Sequence, residues 1–132
     1  MREPVRLSAD LALAIHEVLL RRFGGRAGIR DEGALESALA RARNRWAYDR
    51  GDLAVLAAAH AYGIARSHPF VDGNKRMALL SLITFLGLNG VDFIADEAEA
   101  VVIMRDLAAG KVDEDGLTHW IRDKLPRKAR SR

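Results

Sequence analysis

Apolar residues recur at helical spacing along almost the whole chain. Leu11, Ile15, Val18, Leu19 and Phe23 share one face of a segment from about Ala9 to Arg22. Ser8 is placed to cap that helix and Gly24-Gly25 to stop it. Asp31 starts a second helix carrying Leu35, Ala38, Leu39 and Ala42, with Arg41, Arg43 and Arg45 near its end, where cations suit the dipole. Asp52 caps a third, from Leu53 to about Ser67, and Pro69 predicts extended backbone at His68. A fourth runs from Asn74 or Lys75 to Asn89, ended by Gly90. Val91 to Ile94 alternates in the manner of a short extended segment. A fifth helix spans about Asp96 to Ala109, and a sixth about Glu114 to Leu125, ended by Pro126.

The third and fourth segments differ from the rest. From Leu53 to Ala65 only His60 and the Tyr62 hydroxyl interrupt the apolar run; from Met77 to Leu88 only Ser81, Thr84 and Gly87 do. A helix apolar on nearly every side is buried. The pattern therefore predicts an all-α bundle of about six helices around a buried central pair. There is no internal repeat and no linker. Residues 1–125 read as one domain and 126–132 as a basic tail.

Composition changes this picture little. The chain has 132 residues, enough for one proper core, and no cysteine, which excludes disulfide and thiol chemistry and suits a reducing, cytoplasmic compartment. No stretch reads as a signal peptide or membrane span. The net charge of +3 comes from the tail: Arg127, Lys128, Arg130 and Arg132 removed, seventeen cations face eighteen acids. The tail reads as a solvated terminus. A nucleic-acid contact would need a basic patch on the body, which this balance does not supply.

The chemistry is concentrated between the two central helices. His68-Pro69-Phe70-Val71-Asp72-Gly73-Asn74-Lys75-Arg76 holds an imidazole, a carboxylate, a glycine, an amide and two cations. The start of the fourth helix offers free N–H groups and a positive dipole end, a natural anion site. Gly73 lets a phosphate approach the backbone. Asn74 either caps the helix or shapes the anion nest. Lys75 and Arg76 oppose the dipole at roughly 0.3–1 kcal/mol each, a conflict that an anionic ligand removes. The alternative is that both extend into solvent. Asp72 is either an N-cap or a magnesium ligand. His68 is a candidate general base, since imidazole titrates near neutrality. Phe70 reads as a core anchor.

The remaining candidates are weaker. His16 is placed at the edge of its amphipathic helix, His60 in the core with a hydrogen bond, and His119 lacks a charged neighbour in sequence. Trp46 and Tyr48 read as following the second helix, either as a lid on the core or as the wall of a peptide groove. No HExxH or Cys/His spacing supports zinc, and neither a P-loop nor the HRD and DFG kinase signatures occur.

The loop resembles the Fic/Doc family motif HxFx(D/E)GN(G/K)R, matched by His68, Phe70, Asp72, Gly73, Asn74, Lys75 and Arg76. Phe23-Gly24-Gly25, Gly28 to Gly33, Leu35 to Leu39 and Ala47-Tyr48 are similar to the Doc branch, so the likeness reaches about residue 125. Lys75 stands where AMP-transferring Fic enzymes have glycine. Leu79 stands where they carry a second arginine, while Gly73 follows the Fic pattern rather than the alanine of some Doc proteins.

The resemblance implies a toxin that transfers phosphate from ATP, with Mg²⁺, to a threonine of elongation factor Tu and blocks translation. His68, Asp72, Lys75 and Arg76 would be catalytic, Asp72 would hold the metal, and Gly73, Asn74, Lys75 and Arg76 would hold the nucleotide. No (S/T)xxxE(G/N) inhibitory motif is present, so inhibition would come from a Phd-type antitoxin. Any contact with nucleic acid would then be through that antitoxin. The alternatives are AMP transfer to a protein hydroxyl and a mainly non-catalytic corepressor bound to its antitoxin.

Overall fold

The computed structural model describes residues 2–126, so the four tail cations lie outside the described residues. Six helices follow in order: α1 Ala9–Phe23, α2 Glu32–Asp49, α3 Leu53–Ser67, α4 Asn74–Leu88, α5 Glu97–Ala108 and α6 Glu114–Lys124. No strand ladder forms among the described residues; an isolated antiparallel bridge joins Ile29 to Phe70. The chain is all-α, as its periodicity predicts.

Capping chemistry sets the helix starts. Ser8, Asp31 and Asp52 each accept a backbone N–H three residues on, from Leu11, Ala34 and Val55. Each such cap contributes about 1 kcal/mol. Asp52 also receives the Arg122 guanidinium of α6 at 2.9 Å, so one carboxylate starts α3 and ties it to α6.

Helix α3 is the axis of the molecule. It packs against α2, α4, α5 and α6, and eleven of its fifteen residues are buried, which leaves room for little but alanine and aliphatic side chains. Helix α4 is less enclosed than its composition predicts. Met77, Ala78, Ser81, Leu82, Phe85 and Leu86 are buried, but Leu79, Leu80 and Ile83 are only half-covered. Its main neighbours are α1, α3 and α5.

Further expectations are corrected. In α1 the buried stripe is Ala12, His16 and Leu19, while Val18 and Phe23 are each 53% exposed. The larger apolar residues instead line an open groove with Leu80. Helix α2 runs on to Asp49, so Trp46 and Tyr48 belong to it. Trp46 is buried on its inner side and Tyr48 projects outward at 88% exposure; they form no lid. Arg41 and Arg45 serve a partner beyond their own dipole, since both meet Glu114 of α6. Residues 91–94 pair with no strand; Val91 is a buried anchor and Phe93 packs edge-on against Trp120.

Candidate active site

The loop from His68 to Gly73 joins the axial helix to α4, so rigid elements hold both of its ends. At its entry His68 closes α3 in the left-handed region, φ 48° and ψ 58°, rather than the extended backbone Pro69 predicts. A helix C-terminus needs a left-handed residue to turn the chain sharply, and here that demand outweighs the proline's preference. Such backbone in a non-glycine residue costs roughly 1–3 kcal/mol, and it clusters at functional sites. The His68 side chain is exposed and its ring has no hydrogen bond or ion pair among the described residues. That freedom suits a group that must meet a substrate.

Phe70 is the anchor. It is 1% exposed and bridges to Ile29. Asn74 does not cap α4. Its Oδ1 accepts the Phe70 N–H at 3.0 Å and its Nδ2 donates to the Phe70 carbonyl at 2.9 Å. The amide thus closes the loop on itself and leaves the first turn of α4 free. Gly73 is the N-cap residue, at φ 78°, with no side-chain cap bond. That conformation favours glycine, and an added Cβ would meet Leu19 at 3.0 Å.

Asp72 is not the cap either. Its Oδ1 accepts the Gly73 N–H at 3.1 Å and its Oδ2 the Arg26 N–H at 3.2 Å. Gly25 permits this approach, since a Cβ there would stand 3.1 Å from Oδ2. Each oxygen keeps a further lone pair, and the carboxylate is exposed. No group of three or more His, Cys, Asp or Glu side chains gathers among the described residues. A single hard carboxylate fits Mg²⁺, which takes most of its shell from water and phosphate, rather than a metal held wholly by protein.

His16 is the residue that sequence reasoning misplaced. It is buried at 5% exposure, stacks on the Phe70 ring at 3.9 Å, and its Nε2 lies 2.8 Å from the Asp72 carbonyl. A carbonyl only accepts, so Nε2 carries the hydrogen. The bond turns the Asp72–Gly73 peptide inward by its oxygen. In a trans peptide the Gly73 N–H then points the other way, where it donates to Asp72 Oδ1. Only the spacing of Ala12, His16 and Leu19 hinted at an inward face, and the larger aliphatics on the neighbouring face masked it.

A cleft of about 390 Å³ opens at the start of α4, lined by residues 72–76 with Leu79, Val101, Met104 and Arg105. The structure thus brings Asp72, Gly73, Asn74, Lys75 and Arg76 to one wall. His68 lies outside this lining, at the loop's other end. Lys75 makes no ion pair among the described residues, and Arg76 lies over the Phe23 ring at 4.0 Å. Arg105 on α5 adds a third cation, missed in the sequence because it lies almost thirty residues beyond the motif. Three cations and one carboxylate around the free end of a helix would suit a polyanion.

The pattern of the Fic/DOC family matches residues 6–86 of this chain, more than half of it. The chain belongs to the Fic/DOC family. Among its relatives, "Protein kinase doc" of Escherichia phage P1 is 32% identical over 117 residues, covering 88% of this chain and 92% of its own. "Toxin Doc" of Mycolicibacterium smegmatis is 41% identical over 103 residues, covering 72% and 76%. These relatives place this Fic/DOC protein on the Doc branch, as a phosphotransferase-type enzyme. No described helix of it is long and apolar enough to cross a membrane.

Proposed function

We propose that this chain is the toxin of a toxin–antitoxin pair and a protein kinase that transfers the γ-phosphate of ATP to a threonine of elongation factor Tu, in the cytoplasm, blocking translation. The observation that carries the reading is the cleft: a helix N-terminus free of side-chain caps, with Lys75, Arg76 and Arg105 around it and Asp72 at its edge. The α-, β- and γ-phosphates match that charge. His68 takes the proton of the attacking hydroxyl. The hydroxyl oxygen bonds to the γ-phosphorus as the bond to the bridging β–γ oxygen breaks, and ADP leaves. Asp72 would hold Mg²⁺, which supplies charge neutralisation at the phosphates. Gly73, Asn74 and the first turn of α4 orient the nucleotide, while Lys75 and Arg76 stabilise the charge of the transition state.

The test is which phosphate moves. ATP labelled at the γ position should mark elongation factor Tu, and ATP labelled at the α position should mark nothing. Lys75 and Leu79, in place of the glycine and second arginine of AMP-transferring relatives, motivate this. Robust α-label on any protein would move the activity to AMP transfer.

A second expectation concerns binding. Mg²⁺-ATP should raise the melting temperature, as a ligand selective for the native state does. Arg76→Ala should remove most of that rise. Its effect without ligand should be near zero: losing the contact with Phe23 costs about 0.5–1 kcal/mol at an exposed site, and removing a first-turn cation returns roughly 0.3–1 kcal/mol. Paired melts of both proteins, with and without ligand, measure this. A large loss without ligand and an unchanged ATP-dependent rise would make Arg76 structural.

The open groove on α1 supports the antitoxin part of the reading. Leu11, Ile15, Val18, Phe23 and Leu80 line about 540 Å³ beside the active loop, and Phe23 also touches Arg76. An amphipathic tail of a Phd-type antitoxin laid there would cover apolar surface and reach the phosphate-binding cation together.

A further inference from the structure

We infer that Arg30 is a positioning residue for His68, one that sets the aim of the imidazole and so controls turnover without touching the nucleotide. This rests on the reading of His68 as the general base. Three consecutive carbonyls at the end of α3 accept from this single residue. Arg30 Nη2 donates to Ser67 O at 2.7 Å, Nε donates to His68 O at 2.6 Å, and the backbone N–H donates to Pro69 O at 2.7 Å. Those three residues are the ones the chain must turn through.

The turn needs such support. His68 and Arg50 are the only non-glycine residues at positive φ among the described residues, and His68 alone of the two precedes a proline. Left-handed backbone is disfavoured for a residue with a Cβ, and the pyrrolidine ring narrows the choices further. In both cases a guanidinium holds the adjoining carbonyls: Arg50 binds Trp46 O with its own side chain at 2.8 Å, whereas His68 is held from another element.

That element is itself pinned. Asp31 caps α2 and its N–H reaches Pro69 O, while Ile29 bridges to Phe70. A cation on the last carbonyls also suits the negative end of the α3 dipole. The planar fork matters: it meets two carbonyls at fixed spacing, which a lysine ammonium does not. The direction of the Cα–Cβ bond at position 68 follows from φ and ψ, so whatever fixes the backbone fixes where the ring can reach. Arg30 does not line the phosphate cleft.

The test measures γ-phosphate transfer from ATP to elongation factor Tu, with kcat normalised to the ATP-binding stoichiometry of the same sample. Arg30→Met keeps the aliphatic stem and the backbone N–H but removes both fork bonds. It should lower kcat about 10- to 100-fold and leave the KM for ATP within about twofold, as expected when a reacting group is misplaced while ligand binding persists. Arg30→Lys, the gentler change should Arg30→Met fold poorly, should retain a kcat deficit of several fold. Guanidinium ion at millimolar concentration should restore part of the rate to Arg30→Ala. A normalised kcat within twofold of the wild type in Arg30→Met or Arg30→Lys overturns the inference, as does a parallel loss of kcat and ATP binding. Failure of the underlying reading looks different. Wild-type protein that transfers no phosphate, or His68→Ala with full activity, removes the kinase or base assignment itself, whereas inactive His68→Ala beside fully active Arg30→Met removes only the role of Arg30.

Discussion

Replacing His68 with alanine should reduce phosphate transfer by about 10²–10⁴-fold, the usual contribution of a general base, and relieve the growth arrest expected of the wild-type chain when expressed without antitoxin. The structure makes this a clean experiment. The His68 ring is exposed and makes no hydrogen bond or ion pair among the described residues, so its removal forfeits no packing. The turn depends on a bond from the Arg30 side chain and a bond to the Ile64 carbonyl, and at residue 68 both involve main-chain atoms only: its carbonyl accepts from Arg30 Nε at 2.6 Å and its N–H donates to Ile64 O at 3.1 Å. Stability should therefore change little while activity collapses. Growth curves, and phosphate transfer by the purified variant with its melting temperature, decide the matter. A folded His68→Ala protein as toxic as the wild type would end the catalytic assignment.

Acid should destabilise the protein well above the carboxylate range, and His60 is the cause. Burial among apolar side chains pushes its pKa from 6.5 down to about 4, outweighing the opposing effect of the Leu56 carbonyl; Arg6 lowers it further. The bonds explain why the neutral form is required. Nδ1 donates to Leu56 O at 2.8 Å, and Nε2 accepts the Leu7 N–H at 3.4 Å, so a second proton on the ring would break the Leu7 bond.

The unfolded chain takes up that proton near pH 6.5, whereas the native chain resists until about pH 4. Between those values the unfolded state holds more protons, so stability falls as pH falls, by about 3 kcal/mol in all, and this contribution levels off below the native pKa. Glu99, held low mainly by its hydrogen bond with Lys124, adds its own loss only at lower pH, below the ordinary carboxylate value. Urea unfolding at pH 7 and pH 4.5 should show the difference, and His60→Gln should lack most of it. An unchanged pH dependence in that variant would place the acid sensitivity elsewhere.

Helix count, the capping residues and the position of the candidate loop could all be read from the chain because each rests on local chemistry. Ser8, Asp31 and Asp52 cap by reaching N–H groups three residues away, and the motif from His68 to Arg76 is contiguous. The α1 stripe could not be read correctly. Its larger aliphatics suggested the inward face, yet the buried residues are Ala12, His16 and Leu19, and size alone does not say which neighbour a face will meet. The conformation of His68 was misjudged for a similar reason. Proline's preference is local, whereas the left-handed turn is held by Arg30, thirty-eight residues away in sequence.

Sequence alone determined that this chain is helical, where its helices begin, and that a loop rich in polar and charged side chains lies between the two most apolar of them. It did so because hydrophobic period, caps and dipole act within one or two turns. Tertiary structure alone decided that Asn74 closes the loop rather than capping α4, that His16 turns the Asp72 carbonyl inward, and that Arg105 joins Lys75 and Arg76 around one cleft. Those outcomes depend on which groups meet across helices, and a side chain's partner is chosen by the packing of the elements that carry both.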